Sequence, residues 1–143
     1  MTRHGTAAGS LTVALNQALD QVSQRVEEIT APEGLSLQQW MVLGQLAERG
    51  EQAMGDLVRA TRFNDSTLTR VVDRLATRGL IYREVDPTDR RRVRVALSTR
   101  GHALHRRLAP SVRERERALT DALACCPSLI DSLAQLGDPD TPT

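Results

Sequence analysis

The sequence predicts a mainly α fold carrying one small β-hairpin, and three observations on its 143 residues lead there. Apolar residues recur at i, i+3/i+4 and i+7 over most of the chain, the spacing that lines one face of a helix. Between Leu80 and Leu97 the period changes to two, interrupted by the turn-forming run Asp86-Pro87-Thr88-Asp89. Breakers and cap residues (Pro32, Gly34, Ser36, Gly50, Asn64 and Gly79) fall between the periodic stretches and divide them into elements.

Composition fits this picture and excludes others. With 40% hydrophobic and 26% charged residues the chain is ordinary globular material, sized for one compact unit. No apolar run approaches the roughly 18 to 20 residues that cross a bilayer. The amino-terminal stretch lacks the apolar core and cleavage site of a secretory signal, so a soluble, cytoplasmic protein with no membrane partner is expected. The two cysteines, adjacent at Cys125 and Cys126, form neither a disulfide framework nor paired Cys-x-x-Cys knuckles. No cofactor or structural metal is expected.

The first helix begins at Leu11 and carries Leu15, Ala18, Leu19, Val22, Val26 and Ile29 on one face until Thr30-Ala31-Pro32 ends it. Ser36 and Gln39 have the spacing of a capping box, with Leu35 placed as a staple, so a second helix starts there. It buries Trp40, Val42, Leu43 and Leu46 and stops at Gly50. A short third helix, Met54 to Arg62, buries Leu57 and Val58, with Met54 a further candidate for its inner face. The cap-rich Asn64-Asp65-Ser66 opens a fourth, with Leu68, Val71, Val72 and Leu75 inward. Leu80, Tyr82 and Val85 with interleaved Arg83 and Glu84 then read as one strand, and Val93, Val95 and Leu97, alternating with Arg94, Ala96 and Ser98, as its return, making a two-stranded hairpin. Ser98 or Thr99 caps a long fifth helix with Ala103, Leu104, Leu108, Val112, Leu119 and Ala122 or Leu123 inward. Pro127 opens a short last one with Leu129, Ile130, Leu133 and Leu136.

Charge is unevenly placed along this scaffold. Residues 1–51 hold three Arg against six acids, residues 52–107 thirteen against six, and residues 108–143 three against six, so segments of −3, +7 and −3 make the net +1. A basic middle inside a near-neutral body is the pattern of a nucleic-acid surface. All nineteen basic residues are Arg; codon bias accounts for this as readily as function does, since it extends outside the basic segment. Three helices and a hairpin within that segment describe a helix-turn-helix with a wing. On the fourth helix Ser66, Thr67, Arg70, Arg74 and Thr77 lie opposite the core stripe. Arg70 and Arg74, four apart, share a face, and a bidentate pair from one of them to guanine is worth about 1–3 kcal/mol of discrimination. A solvated helix surface has the same look. The hairpin tip adds weight to the DNA reading, because Arg90, Arg91 and Arg92 repel one another unless an anion receives them, as a narrow minor groove does.

The order and spacing of several short segments resemble the MarR family of winged-helix transcriptional regulators. They are Leu-Ser-Leu-Gln-Gln-Trp-Met-Val-Leu at 35–43, Thr-Leu-Thr-Arg-Val-Val-Asp-Arg-Leu at 67–75 with Arg78-Gly79-Leu80 following, and Asp86-Pro87-Thr88-Asp89-Arg90-Arg91-Arg92 running into Val95-Ala96-Leu97-Ser98-Thr99-Arg100-Gly101. The resemblance implies a homodimer binding double-stranded DNA at a pseudo-palindromic operator, usually as a repressor relieved by a small molecule or an oxidant. It implies a winged helix-turn-helix over residues 35–101 between dimerisation helices at 1–34 and 102–143. Carried over by position, Ser66, Thr67, Thr69, Arg70 and Arg74 face the major groove or its phosphates. Arg91, helped by Arg90 and Arg92, enters the minor groove, while Asp89 supports the wing. A unit of about 70 residues is too small to cover the apolar stripes of the first and last helices, and pairing about a two-fold axis buries them.

The regulatory input is less legible. Peroxide-sensing relatives use a first-helix cysteine, which this chain lacks; Cys125 and Cys126 read as packing residues or as a redox pair. His102 and His105, three apart, read as ordinary polar residues or as two ligands of a metal-responsive site. Trp40 reads as core or as the wall of an effector pocket. The alternatives to a ligand-released repressor are a redox- or metal-responsive regulator of the same fold and a winged module that binds protein instead of DNA. No constellation of nucleophile, base and orienting residue points to an enzyme.

Overall fold

The structure, a computed structural model, describes residues 10–121, 128–138 and 140. Helix α1 (Leu11–Thr30) runs into a 3₁₀ turn at Ala31–Glu33, and α2 spans Leu37–Arg49. A short strand β1 (Gln52–Ala53) precedes α3 (Met54–Thr61) and α4 (Asp65–Thr77). Strands β2 (Ile81–Val85) and β3 (Val93–Leu97) lead to α5 (Thr99–Asp121) and, beyond it, α6 (Leu129–Leu136).

The helix starts follow the sequence chemistry. Ser36 accepts from the Gln39 amide at 3.2 Å while the Gln39 side chain accepts from the Ser36 amide at 3.0 Å, a closed capping box. Gly34, at φ 72°, makes the left-handed turn that frees the chain from the 3₁₀ segment. At α5 the cap is Ser98, whose hydroxyl accepts from the Gly101 amide at 3.0 Å and donates to the Gly79 carbonyl at 2.6 Å. Pro110 sits inside α5 and supplies no amide to its hydrogen-bond ladder.

One apolar core joins α2, α3, α4, the sheet and the first half of α5, with Val42, Leu43, Leu57, Leu68, Val72, Leu75 and Val95 fully enclosed. Three expectations are corrected here. The sheet has three strands in the order β1-β3-β2, not two; Gln52 and Ala53 pair with Val95 and Arg94 and cover the free edge of β3. On β2 the buried residues are Ile81 and the adjoining Leu80, whereas Tyr82 and Val85, the other apolar positions expected of that strand, are exposed. Ala103 is exposed, since the buried stripe of α5 runs through Gly101, Leu104, Leu108, Ala109 and Val112 instead.

Helix α1 packs along α5, yet of its apolar stripe only Val26 is buried; Leu11, Val13, Leu15 and Leu19 are exposed. Ile130, Leu133 and Leu136 of α6 are exposed as well. The expected inward Ala122 or Leu123, the cysteines Cys125 and Cys126, the helix start at Pro127 and the side chain of Leu129 lie outside the described residues.

Candidate nucleic-acid interface

Helix α4 is built from its cap outward. The Asn64 side chain accepts from the Thr67 amide at 2.8 Å and from the Ser66 hydroxyl at 2.9 Å, satisfying the first turn. Leu68, Val71, Val72 and Leu75 anchor the inner face. Ser66, Thr69, Arg70 and Arg74 are exposed and Thr67 is half-buried. The Thr69 hydroxyl donates to the Asp65 carbonyl at 2.8 Å, so the Ser66 and Thr69 hydroxyl protons are both engaged locally. The guanidinium groups of Arg70 and Arg74 have no partner among the described residues, which leaves all their donors available to an incoming anion.

The wing is a loop held from inside by two aspartates. Asp86 is buried, and its carboxylate accepts from the Thr88 hydroxyl at 2.6 Å and amide at 2.9 Å. These bonds, the Thr88 hydroxyl foremost, hold its carboxyl below the usual range, with the Arg94 charge 4.0 Å away adding to the effect. The Asp86 amide closes the loop on the Arg92 carbonyl at 2.9 Å. Asp89 is exposed, but its carboxylate accepts from the Arg91 amide at 3.0 Å and its carbonyl from the Arg92 amide at 3.0 Å. The backbone of the arginine run is thereby fixed while its side chains stay out: Arg90, Arg91 and Arg92 are exposed, with no ion pair among the described residues.

Helix α4 and the wing are tied together. Asp73 of α4 pairs with Arg83 of β2, which neutralises the carboxylate on an otherwise cationic helix face. Arg78, just past α4, donates to the carbonyls of Gly34 at 2.9 Å and Glu33 at 2.7 Å, and Arg107 of α5 grips the Glu33 carboxylate with both terminal nitrogens at 2.7 and 3.0 Å. That grip lowers the Glu33 pKa and raises that of Arg107.

Trp40 is half-buried and stacks on His105 of α5, ring centroids 4.8 Å apart. It lines a cavity of about 380 Å³ whose wall also includes Val22, Val26, Met41, Glu48 and Glu116. Desolvation pushes the Glu116 carboxyl above its usual range. A larger depression of about 460 Å³ is lined by Ala60 and the charged or amide side chains of Gln45, Arg49, Gln52, Asp56 and Arg59. Among the described residues no group of three His, Cys, Asp or Glu side chains is arranged to hold a metal ion.

A model of the MarR family matches residues 33–92, the stretch that holds α2, the helix-turn-helix and the wing's first strand and loop. The HTH-type transcriptional regulator FarR of Neisseria gonorrhoeae is 30% identical over 129 residues, 89% of this chain and 88% of its own. The chain belongs to the MarR family. Among MarR-family relatives, the homoprotocatechuate degradative operon repressor of Escherichia coli is 29% identical over 110 residues, 77% of this chain and 74% of its own. The crystal structure of NadR in complex with 4-hydroxyphenylacetate superposes with a TM-score of 0.82 at 27% identity, covering 98% of both chains. The fold is thus the MarR winged helix, and the chain is a transcriptional regulator, not an enzyme. No described helix is long and apolar enough to cross a membrane.

Sequence reasoning missed Asp86, the Asp73–Arg83 pair and the Arg78 and Arg107 links of this MarR-family domain. One signal was present: a lone carboxylate, Asp73, between Arg70 and Arg74 requires a cation from elsewhere. The Arg78 and Arg107 links depend on the chain folding back on itself and leave no local pattern, whereas Asp86 bonds to Thr88 two residues on, as any turn aspartate can.

Proposed function

We propose that this MarR-family chain is a repressor that binds a pseudo-palindromic operator as a homodimer and is released by a small molecule. In this reading residues 35–101 form the DNA-binding unit, with the amino-terminal half of α4 in the major groove and Arg91 in the minor groove, flanked by Arg90 and Arg92. The observation that carries it is the set of five exposed guanidinium groups, Arg70, Arg74, Arg90, Arg91 and Arg92, without a partner among the described residues, on two elements joined by the Asp73–Arg83 pair. Five like charges held on a rigid frame gain from an anion and from nothing else nearby. Thr67 serves as a supporting contact, as do Ser66 and Thr69 after their hydroxyls reorient, and Asp89 orders the wing without touching DNA. The name of the Escherichia coli relative supports a repressor role, and the bound aromatic acid of NadR supports a ligand-responsive one. The cavity beside Trp40 is the effector site of this reading.

Selection of bound fragments from the source genome is the test: an inverted repeat with half-sites about one helical turn apart is expected. On such a fragment Arg91→Ala weakens binding and lowers the slope of log affinity against log salt by about one. Recovery of no common sequence, or an unchanged slope in the variant, refutes the reading.

A further inference from the structure

The cavity beside Trp40 has an apolar wall and a one-signed rim. Val22, Val26, Trp40 and Met41 supply hydrocarbon and aromatic surface, and the ionisable side chains among the described lining residues are two carboxylates, Glu48 of α2 and Glu116 of α5. Among the described residues no arginine lines it. Of the arginines close in sequence to the wall, Arg115 pairs with Glu28 at 3.1 Å, Arg59 pairs with Asp56, and Arg49 and Arg59 line the adjoining polar depression, which shares Gln45 and Ala60 with this cavity. His105 lies behind Trp40 and is held in its neutral form by burial, so it supplies no positive charge at neutral pH.

We propose that this cavity takes an apolar ligand bearing a protonated amine, and that it rejects the carboxylate counterpart. The inference rests on the effector reading above and names the chemistry that site recognises. A carboxylate entering here loses its water and meets two like charges, and the Ser23 and Thr61 hydroxyls of the wall already donate to the Leu19 and Leu57 carbonyls, which leaves the neutral Gln45 amide as a donor. An ammonium group meets the same two oxyanions as charge-assisted hydrogen-bond partners, and the exposed part of the Trp40 ring offers a cation–π surface. Desolvation already disfavours the charged form of Glu116, and a ligand cation relieves that cost by compensating its charge.

Trp40 is the chain's single tryptophan, so its fluorescence reports on this cavity alone. The full-length protein is titrated with phenethylamine and with phenylacetate, which share a benzyl body and differ in the sign of the head group. Saturable quenching by phenethylamine is expected, with phenylacetate at least about tenfold weaker, equivalent to about 1.4 kcal/mol. Glu48→Gln and Glu116→Gln, whose folding is checked by thermal melting, each weaken the amine and narrow its preference over phenylacetate. Equal or tighter phenylacetate binding, no saturable response to either probe, or amine binding unchanged in both variants overturns the proposal. Repeating the titration on the DNA-bound protein separates the two readings. Amine binding without release removes the effector role and keeps the charge preference, whereas release by phenylacetate keeps the effector role and removes the charge preference.

Discussion

His105 stacks on Trp40 with ring planes 16° from parallel, and its pKa lies below the ordinary value because burial disfavours the charged ring, with Arg113 and His102 adding and Glu48 opposing. A histidine whose folded pKa lies below its unfolded value of about 6.5 contributes stability that is complete above that value and drains as pH falls through the folded one. The urea midpoint is therefore expected to fall between pH 7 and pH 5, and His105→Gln to lose that share of the fall. Two other groups with lowered pKa, Glu33 and Asp86, act outside this window, since their contributions drain only below the ordinary carboxylate range of about 4. Glu116 runs the other way, its contribution complete in acid and lost as pH rises through its elevated value. It does so in both proteins, so the difference between them isolates His105. An identical midpoint shift in the variant refutes the assignment.

At the scale of elements, the first turn of α5 crosses the sheet so closely that a Cβ built on Gly101 lies 2.0 Å from the Leu80 carbonyl oxygen and 3.2 Å from a Leu97 methyl. The same carbonyl accepts from the Ser98 amide at 3.0 Å, so it is held in place. Helix propensity alone favours Gly101→Ala by about 1 kcal/mol. Overpacking against fixed backbone costs about 1–3 kcal/mol, and because the obstacle is main chain instead of a movable side chain, the clash wins. A lower urea midpoint with an unchanged slope is expected; a stabilised variant contradicts this crossing. Nothing in the sequence around Gly101 announces that contact, which marks where legibility ends. Elements closed by local chemistry were readable: the Ser36–Gln39 box, the Asn64 cap and the Asp89 turn each use residues within a few positions of one another. β1 was not, because two residues show no period and become a strand only by pairing with β3. The outward Tyr82 misled for a related reason: in a five-residue strand the facing is decided by the neighbour that enters the core, here Ile81. At the interface the arginines were readable from charge, but the buried Asp86 that shapes their loop resembles any turn aspartate until its burial is seen.

At the scale of the molecule, the apolar surface left uncovered is concentrated at the two ends of the chain. Leu11 is 64% exposed and Leu19 62% on α1, and Ile130 is 70% and Leu136 62% on α6. Isolated exposed apolar residues need no explanation, but rows of them on two amphipathic helices imply a partner surface. The homodimer of the proposed function supplies it, since a two-fold axis presents the same stripe from both sides. Helix α6 is also tied back to the winged unit, where Arg62, in the left-handed conformation at the end of α3, donates to the Gly137 carbonyl at 3.0 Å. Any partner that positions α6 therefore bears directly on the turn between α3 and α4. Leu133 provides the probe, being 42% exposed in the single chain. Leu133→Glu costs the isolated chain little, because the carboxylate stays in water, but places two like charges in a desolvated dimer contact. Sedimentation is expected to show a monomer with an unchanged helical circular dichroism spectrum. Binding to a two-half-site fragment should fall about 10² to 10⁴-fold, the share that joint engagement contributes, while binding to one half-site is nearly preserved. A Leu133→Glu protein that still sediments as a dimer assigns the interface to the α1 stripe instead, where Leu15→Glu and Leu19→Glu then carry the same test.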